Sequence, residues 1–298
     1  MPCFFPMPAR RVHGGGVEML QRSAAGRFQN NRSATLQLPC GQCVGCRKER
    51  SRQWAVRCLH EASLYPSSHF VTLTYSDDYL PDPPSLDHRH FQLFMKRLRK
   101  RFGPVRFFMA GEYGERRWRP HYHALLFGLR LPDLVPVSAF GSQYSTSRIL
   151  ESLWQLGGCS VGPVNMATAS YVSQYILKKV NGDAAENHYS RVDGDGCVFR
   201  LEPEYCAMSR RPGIASAWLD RFYSDVFPRG KVVVQGVEAE PPRFYKRRFK
   251  DADPFAYKAL QDRLAADGFL RRSDGTDARL TVRNLVAVAR ANSRKRSL

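Results

Sequence analysis

A chain of 298 residues with 46 Lys and Arg against 27 Asp and Glu carries a formal charge of +19, yet 43% of its residues are hydrophobic. That apolar share excludes a chain that is mainly disordered, and the length suffices for one large domain with appendages or for two modest ones. The charge, together with 12% aromatic residues, points to a polyanion partner, because Lys and Arg displace counterions from phosphates and aromatic rings stack on exposed bases; a merely solubilising basic surface is the alternative.

In chain order, the opening MPCFFPMPARR lacks the apolar core of a secretory signal, and no apolar run approaches the ~20 residues of a membrane helix. The expected setting is a cytoplasm, with no membrane partner. There the eight cysteines are not expected to form disulfides, so the three in PCGQCVGC need another explanation. Residues 1–45, rich in Gly, Pro and Ser, read as loops around those cysteines. From Arg47 to Leu64, Trp54, Cys58 and Ala62 recur at helical spacing and Pro66 ends the run, which predicts an amphipathic helix. HFVTLTYS, 69–76, clusters β-branched and aromatic residues and closes on Asp77, Asp78 and Pro81, the pattern of a strand. Leu86 to Gly103 sets Phe91, Phe94, Met95 and Leu98 on one face of a helix with basic residues elsewhere.

VRFFMAGEYG (105–114) and HYHALLFG (121–128) are strand-like runs with a short connection, hence an antiparallel hairpin. Helices at Ile149–Leu156 and Ala167–Val180 flank a strand near Ser160–Val164. This order implies an α+β domain with antiparallel pairing at its centre. From Arg229 to Leu298 there are 17 Lys and Arg against 8 Asp and Glu. Asp253, Pro254 and Gly268 frame one helix there, and Arg279, Arg283, Arg290 and Arg294 fall on one side of another. The expected organisation is a Cys-rich segment (1–45), an α+β domain (46–228) and a basic, helical and partly disordered extension (229–298). No G-x-x-x-x-G-K-[ST] loop is present, since Lys231 is followed by valine, which excludes a P-loop motor.

Two constellations carry chemistry. In His121-Tyr122-His123 on a strand, the imidazoles project from one face and the tyrosine from the other. Such a pair is half of a metal site, and Glu112 on the preceding strand can add an oxygen, with Glu115 as the fallback; ordinary packing is the other reading. On the last helix, Tyr171 and Tyr175 lie four apart on one face, with Lys178 and Lys179 one turn on. In isolation, a tyrosine pair packed against the sheet with solvated lysines is the favoured reading. Together they suit phosphotyrosine chemistry: a divalent metal polarises a phosphodiester and makes a tyrosine, with its ordinary pKa of ~10, a workable nucleophile. Separately, Cys40, Cys43 and Cys46 form a tight thiol cluster, for which Cys3, Cys58 or His60 could complete a zinc site. Reduced, unligated thiols are the alternative.

FVTLTY (70–75), RPHYHALLFG (119–128) and YVSQYILKK (171–179) resemble, in order and spacing, the three motifs of the HUH endonucleases that initiate rolling-circle replication. CGQCVGCRKERSRQWAVRCLHEA, GEYGE and MSRRPGI further resemble the replication initiators of gokushovirus-type single-stranded DNA phages (Microviridae), and the likeness covers most of residues 1–228. The resemblance implies an HUH fold, in which helices flank a central antiparallel sheet. It also implies a two-tyrosine DNA endonuclease and strand transferase, acting in the cytoplasm of a bacterial host on single-stranded origin DNA. Site-specific nicking would leave a 5′-phosphotyrosine and a 3′ hydroxyl. His121, His123 and Glu112 would bind Mg²⁺ or Mn²⁺, Tyr171 and Tyr175 would be the nucleophiles, and a host helicase and DNA polymerase would be partners. Related initiators often carry lysine where this chain has Gln174, which leaves Lys178 and Lys179 as candidates to contact the scissile phosphate. An HUH transposase or relaxase, and a non-catalytic zinc-stabilised single-strand-binding protein, are the rival readings.

Overall fold

The computed structural model describes residues 3–14, 16–20, 36–114, 117–137, 143–175, 180, 183–192, 195–269 and 275–295. They fall into two compact units, Met1–Arg50 with Asp253–Leu298, and Ser51–Ala252. In the first, β1 (Met7–Arg11), β2 (Val17–Met19) and β3 (Leu36–Leu38) make an antiparallel sheet in the order β2-β1-β3. This region reads as loops in sequence, because each strand is only three to five residues long. Helix α1 (Val44–Ala62) follows, with its residues from Ser51 on in the second unit.

The second unit continues with β4 (Ser68–Thr74), α2 (His88–Phe102), β5 (Arg106–Tyr113), β6 (Pro120–Phe127), β7 (Val135–Pro136), β8 (Ser145–Thr146), α3 (Arg148–Trp154), β9 (Cys159–Pro163) and α4 (Met166–Gln174). It is completed by α5 (Ala184–Tyr189), β10 (Ser190–Val192), β11 (Val198–Arg200), β12 (Tyr205–Met208), α6 (Ser216–Arg221), α7 (Tyr223–Val226), β13 (Val232–Val234), β14 (Val237–Ala239) and α8 (Arg243–Ala252). Helices α9 (Pro254–Phe269) and α10 (Asp277–Lys295) return to the first unit. No helix among the described residues is long and apolar enough to cross a membrane.

The α+β expectation holds in its main lines, with helices flanking a large antiparallel sheet. Seven strands pair in the order β12-β5-β6-β4-β9-β8-β7, every neighbour antiparallel. On one face, Val71, Leu73, Met109, Tyr122 and Ala124 pack in a common core with Phe91, Phe94 and Leu98 of α2 and Trp154 of α3. Asp87 caps α2 by accepting from the Arg89 amide, and Gly103 ends it at φ 79°. The other face is covered by α1 and α4: the Trp54 ring packs at a tilt against Phe108, and the Ser51 hydroxyl donates to the Ser170 carbonyl. Two covered faces explain why β5 and β6 are buried nearly end to end instead of alternating. Edge strand β12 escapes the sequence reading because it is four residues long and its partner β5 lies far back in the chain. Helix α4 ends at Gln174 with Tyr175 as its cap, and residues 176–179 of the longer helix expected from sequence lie outside the described residues.

His60 belongs to this packing and not to the cysteine cluster. Its ring stacks on Trp218 at 3.5 Å between centroids, and its Nδ1 lies 2.8 Å from the Tyr245 hydroxyl. Burial lowers its pKa to about 4, from 6.5. Between those values the unfolded chain binds more protons than the folded one, so the contribution of His60 is complete above pH ~6.5 and is lost as pH falls towards 4, by about 3 kcal/mol. Urea titrations from pH 7 to pH 4 should therefore show wild type losing more stability than His60→Phe. Parallel losses would show that His60 is not the group responsible.

Candidate functional site

The hairpin register, which sequence alone left open, sets Glu112 opposite His121 and Ala110 opposite His123. All three of Glu112, His121 and His123 thus rise from the face that α4 covers. Glu112 Oε1 is 2.8 Å from His121 Nε2 and 3.0 Å from His123 Nε2. Glu112 and His123 are buried, and His121 is partly so. The backs of both rings are also held: His121 Nδ1 lies 3.1 Å from the Arg119 carbonyl, and His123 Nδ1 lies 2.9 Å from Thr72 Oγ1. A carbonyl only accepts, so the proton of neutral His121 sits on Nδ1 and its Nε2 lone pair faces the carboxylate. Two lone pairs pointed at each other repel unless a proton or a cation lies between them.

The spacing suits a cation. Neighbouring ligands of an octahedral ion bound at about 2.1 Å stand about 3 Å apart, which is the separation of the Glu112 oxygen from both nitrogens. Imidazoles anchored through the opposite nitrogen, with a carboxylate between them, are the donor set of a borderline-to-hard divalent metal. Helix α4 brings the tyrosines to the same place. The Tyr171 hydroxyl is 3.4 Å from His123 Nε2, and the Tyr171 residue is 42% exposed. Tyr175 is 4% exposed, and its ring stacks on His123 at 5.3 Å with an interplanar angle of 11°. The two tyrosine rings meet edge to face at 5.0 Å.

Residues 68–180, which contain these strands and α4, match the family model described as replication-associated protein ORF2/G2P. Over 234 residues the chain is 30% identical to replication-associated protein VP4 of Bdellovibrio phage phiMH2K, covering 74% of this chain and 70% of that one. The chain belongs to this family of replication-associated proteins. Replication-associated protein ORF2 of Spiroplasma virus 4 is 28% identical over 271 residues, 84% of this chain and 81% of the relative. Replication-associated protein ORF4 of Chlamydia phage 1 is 27% identical over 248 residues, 76% and 59% of the two chains. No solved structure matches the chain.

In this member of the family, the histidine pair, Glu112 and both tyrosines are brought together. Lys178, Lys179 and the fallback Glu115 lie outside the described residues. Sequence reading passed over Thr72 and the Arg119 carbonyl, which orient the imidazoles. The available signal was weak: Thr72 shares the alternation of FVTLTY, but only the pairing of β4 with β6 sets it against His123.

The thiol cluster gains Cys3, not Cys58 or His60. Its four sulfurs, from Cys3, Cys40, Cys43 and Cys46, lie within 4.8 Å of one another. A tetrahedron of 2.3 Å metal–sulfur bonds has edges of about 3.8 Å, and the Cys3–Cys43 separation is 3.9 Å. The Phe4, Cys40, Cys43 and Cys46 amides all point at cluster sulfurs. Burial pushes the Cys3 and Cys46 thiols up, whereas at Cys43 the Phe4 and Cys46 amides and the neighbouring thiols outweigh burial and lower the pKa to about 7. The donors fit a four-sulfur metal site.

A divalent ion that occupies the Glu112 site should stabilise the folded chain. At a concentration one hundred times its Kd, Mg²⁺ or Mn²⁺ should add about 2.7 kcal/mol, read as a rise in Tm that His123→Ala abolishes. An equal rise in that variant would place the ion elsewhere.

Proposed function

We propose that the chain initiates rolling-circle replication as an HUH-type, two-tyrosine endonuclease that nicks single-stranded origin DNA. The observation that carries this reading is the Tyr171 hydroxyl at 3.4 Å from His123 Nε2, the nitrogen that also faces Glu112. The relatives' description as replication-associated proteins of phages and a virus, and the basic charge of the chain, support it. A plain binding module has no need of an exposed tyrosine set against one buried imidazole, one partly buried imidazole and a buried carboxylate.

In this reading Glu112, His121 and His123 hold Mg²⁺ or Mn²⁺. Bound there, the ion supplies Lewis-acid polarisation of the scissile phosphate. Thr72 and the Arg119 carbonyl fix the two rings so that both Nε2 atoms stay on the ligand side. The Tyr171 oxygen bonds to phosphorus as it gives up its proton, the bond from phosphorus to the 3′ oxygen breaks, and that oxygen takes up a proton to become the 3′ hydroxyl. The phosphodiester energy is kept in the 5′-phosphotyrosine, so rejoining needs no nucleotide. Lys178 and Lys179 are the candidates to contact the scissile phosphate. Tyr175, at the cap of α4, is the second nucleophile. The four thiols are read as a structural Zn²⁺ site. Synthesis from the 3′ hydroxyl by a host helicase and polymerase, in the bacterial cytoplasm, follows from the same reading.

Incubated with Mg²⁺ or Mn²⁺ and an origin oligonucleotide, wild type should form a covalent DNA adduct, visible on a denaturing gel. His121→Ala should slow its formation by ~10³-fold while leaving DNA retention on filters, because several kcal/mol of transition-state stabilisation go and the phosphate contacts remain. Tyr175→Phe should form the adduct but fail to circularise, Tyr171→Phe should lose most of the first adduct, and the double variant should form none. An adduct in the double variant would falsify the tyrosine assignment. Purified protein should also carry one zinc per chain, lost in Cys43→Ser; metal-free protein of unchanged Tm would reduce the cluster to ordinary thiols.

A further inference from the structure

We propose that the cavity beside Tyr171 is a binding site for one unpaired nucleobase of the strand being cut, so that its walls, and not the metal site, select sequence at that position. The proposal rests on the nicking reading above. The cavity has a volume of about 470 Å³ and reaches from His123 and Tyr171 to Tyr144. Its floor follows from register: β4 and β9 pair Thr72 with Ser160 and Phe70 with Gly162, on the face that carries His123. Serine and glycine leave this lane of the sheet low, while α4 forms one wall and the ends of β7 and β8 form the other.

The chemistry of the lining selects the ligand class. Phe70 lies edge-on to Tyr171, with centroids 6.1 Å apart, and Tyr144 stands 6.4 Å from Phe70. Tyr144 and Tyr171 are both more than 40% exposed, so their rings offer stacking surface at the rim of the cavity. A Cβ on Gly162 would meet the Tyr144 ring at 2.8 and 2.9 Å, so glycine is what lets that ring lie where it does. Among the described residues no Lys, Arg, Asp or Glu lines the cavity, which makes it a poor site for a phosphate. The Ser160 hydroxyl on the floor can donate to or accept from a polar edge. Aromatic surface with a few side-chain hydroxyls, Ser160 on the floor among them, opening beside the nucleophile of the nicking reading, matches a base lifted out of its stack. A strand whose phosphate lies against Tyr171 has its flanking bases within reach of this opening.

The test scores binding and does not depend on cutting. A random-sequence single-stranded DNA pool is retained on filters by the full chain, by Tyr144→Ala and by Ser160→Ala, and each retained pool is sequenced. Tyr144 is exposed and Ser160→Ala removes one oxygen, so both variants should keep the wild-type Tm, which is checked first. Wild type should enrich a motif in which one position loses its preference in both variants while the other positions keep theirs. 2-Aminopurine placed at that position should be quenched on binding wild type and not on binding Tyr144→Ala, and affinity for the selected oligonucleotide should fall roughly tenfold in that variant. Identical motifs in all three proteins, no motif in wild type, or 2-aminopurine left bright at every position would overturn the proposal. Adduct formation on the selected oligonucleotide is scored separately: its absence beside an intact pocket signal sinks the nicking reading alone.

Discussion

The pairing of β5 with β6 is the constraint on which the rest of the site depends. It sets Glu112 opposite His121, one step along from His123, so that a single carboxylate oxygen stands about 3 Å from two imidazole nitrogens. A slip of one residue would send Glu112 to the α2 face and dissolve the triad, because side chains alternate along a strand. The register is held by burial on both sides: Tyr122, between the two histidines, is fully buried on the opposite face, where its hydroxyl donates to the Asp87 carbonyl and accepts from the Asp87 amide. Moving the histidines therefore means exposing a tyrosine and breaking the start of α2.

The second face gives the triad its chemistry. Helix α4 lies over it and sets Tyr171 and Tyr175 at unequal depth, one exposed and one buried against His123. Under the proposed function that inequality has a use, since a nucleophile already at the opening can react first while its partner is held back. The same helix forms one wall of the aromatic cavity, so α4 carries the nucleophile, lies over the triad on β5 and β6, and borders the proposed base site.

The cysteine cluster stands apart from this chemistry. Its four residues sit in the unit whose strands are only three to five residues long. A metal bonded to four sulfurs is one of the few local interactions strong enough to fix such a segment, which is why the cluster is read as structural.

Much of the central domain was legible in sequence. The apolar faces of α2, the β-branched run of β4 and the two strands of the hairpin follow from periodicity, because each buries a full stripe of side chains. His121, His123, Tyr171 and Tyr175 could be named for their chemistry and spacing alone. What sequence could not decide was anything set by pairing across distance: the choice of Glu112 over Glu115, the role of Thr72, the recruitment of Cys3, and the shallow lane at Ser160 and Gly162. Strands β1, β3 and β12 were invisible for the same reason, being short pieces whose hydrogen-bond partners lie far away in the chain. Residue type and local period are properties of neighbours in sequence, whereas register is fixed by the packing of both sheet faces at once. Only the tertiary structure supplies that, and it turns two histidines and a glutamate into a site.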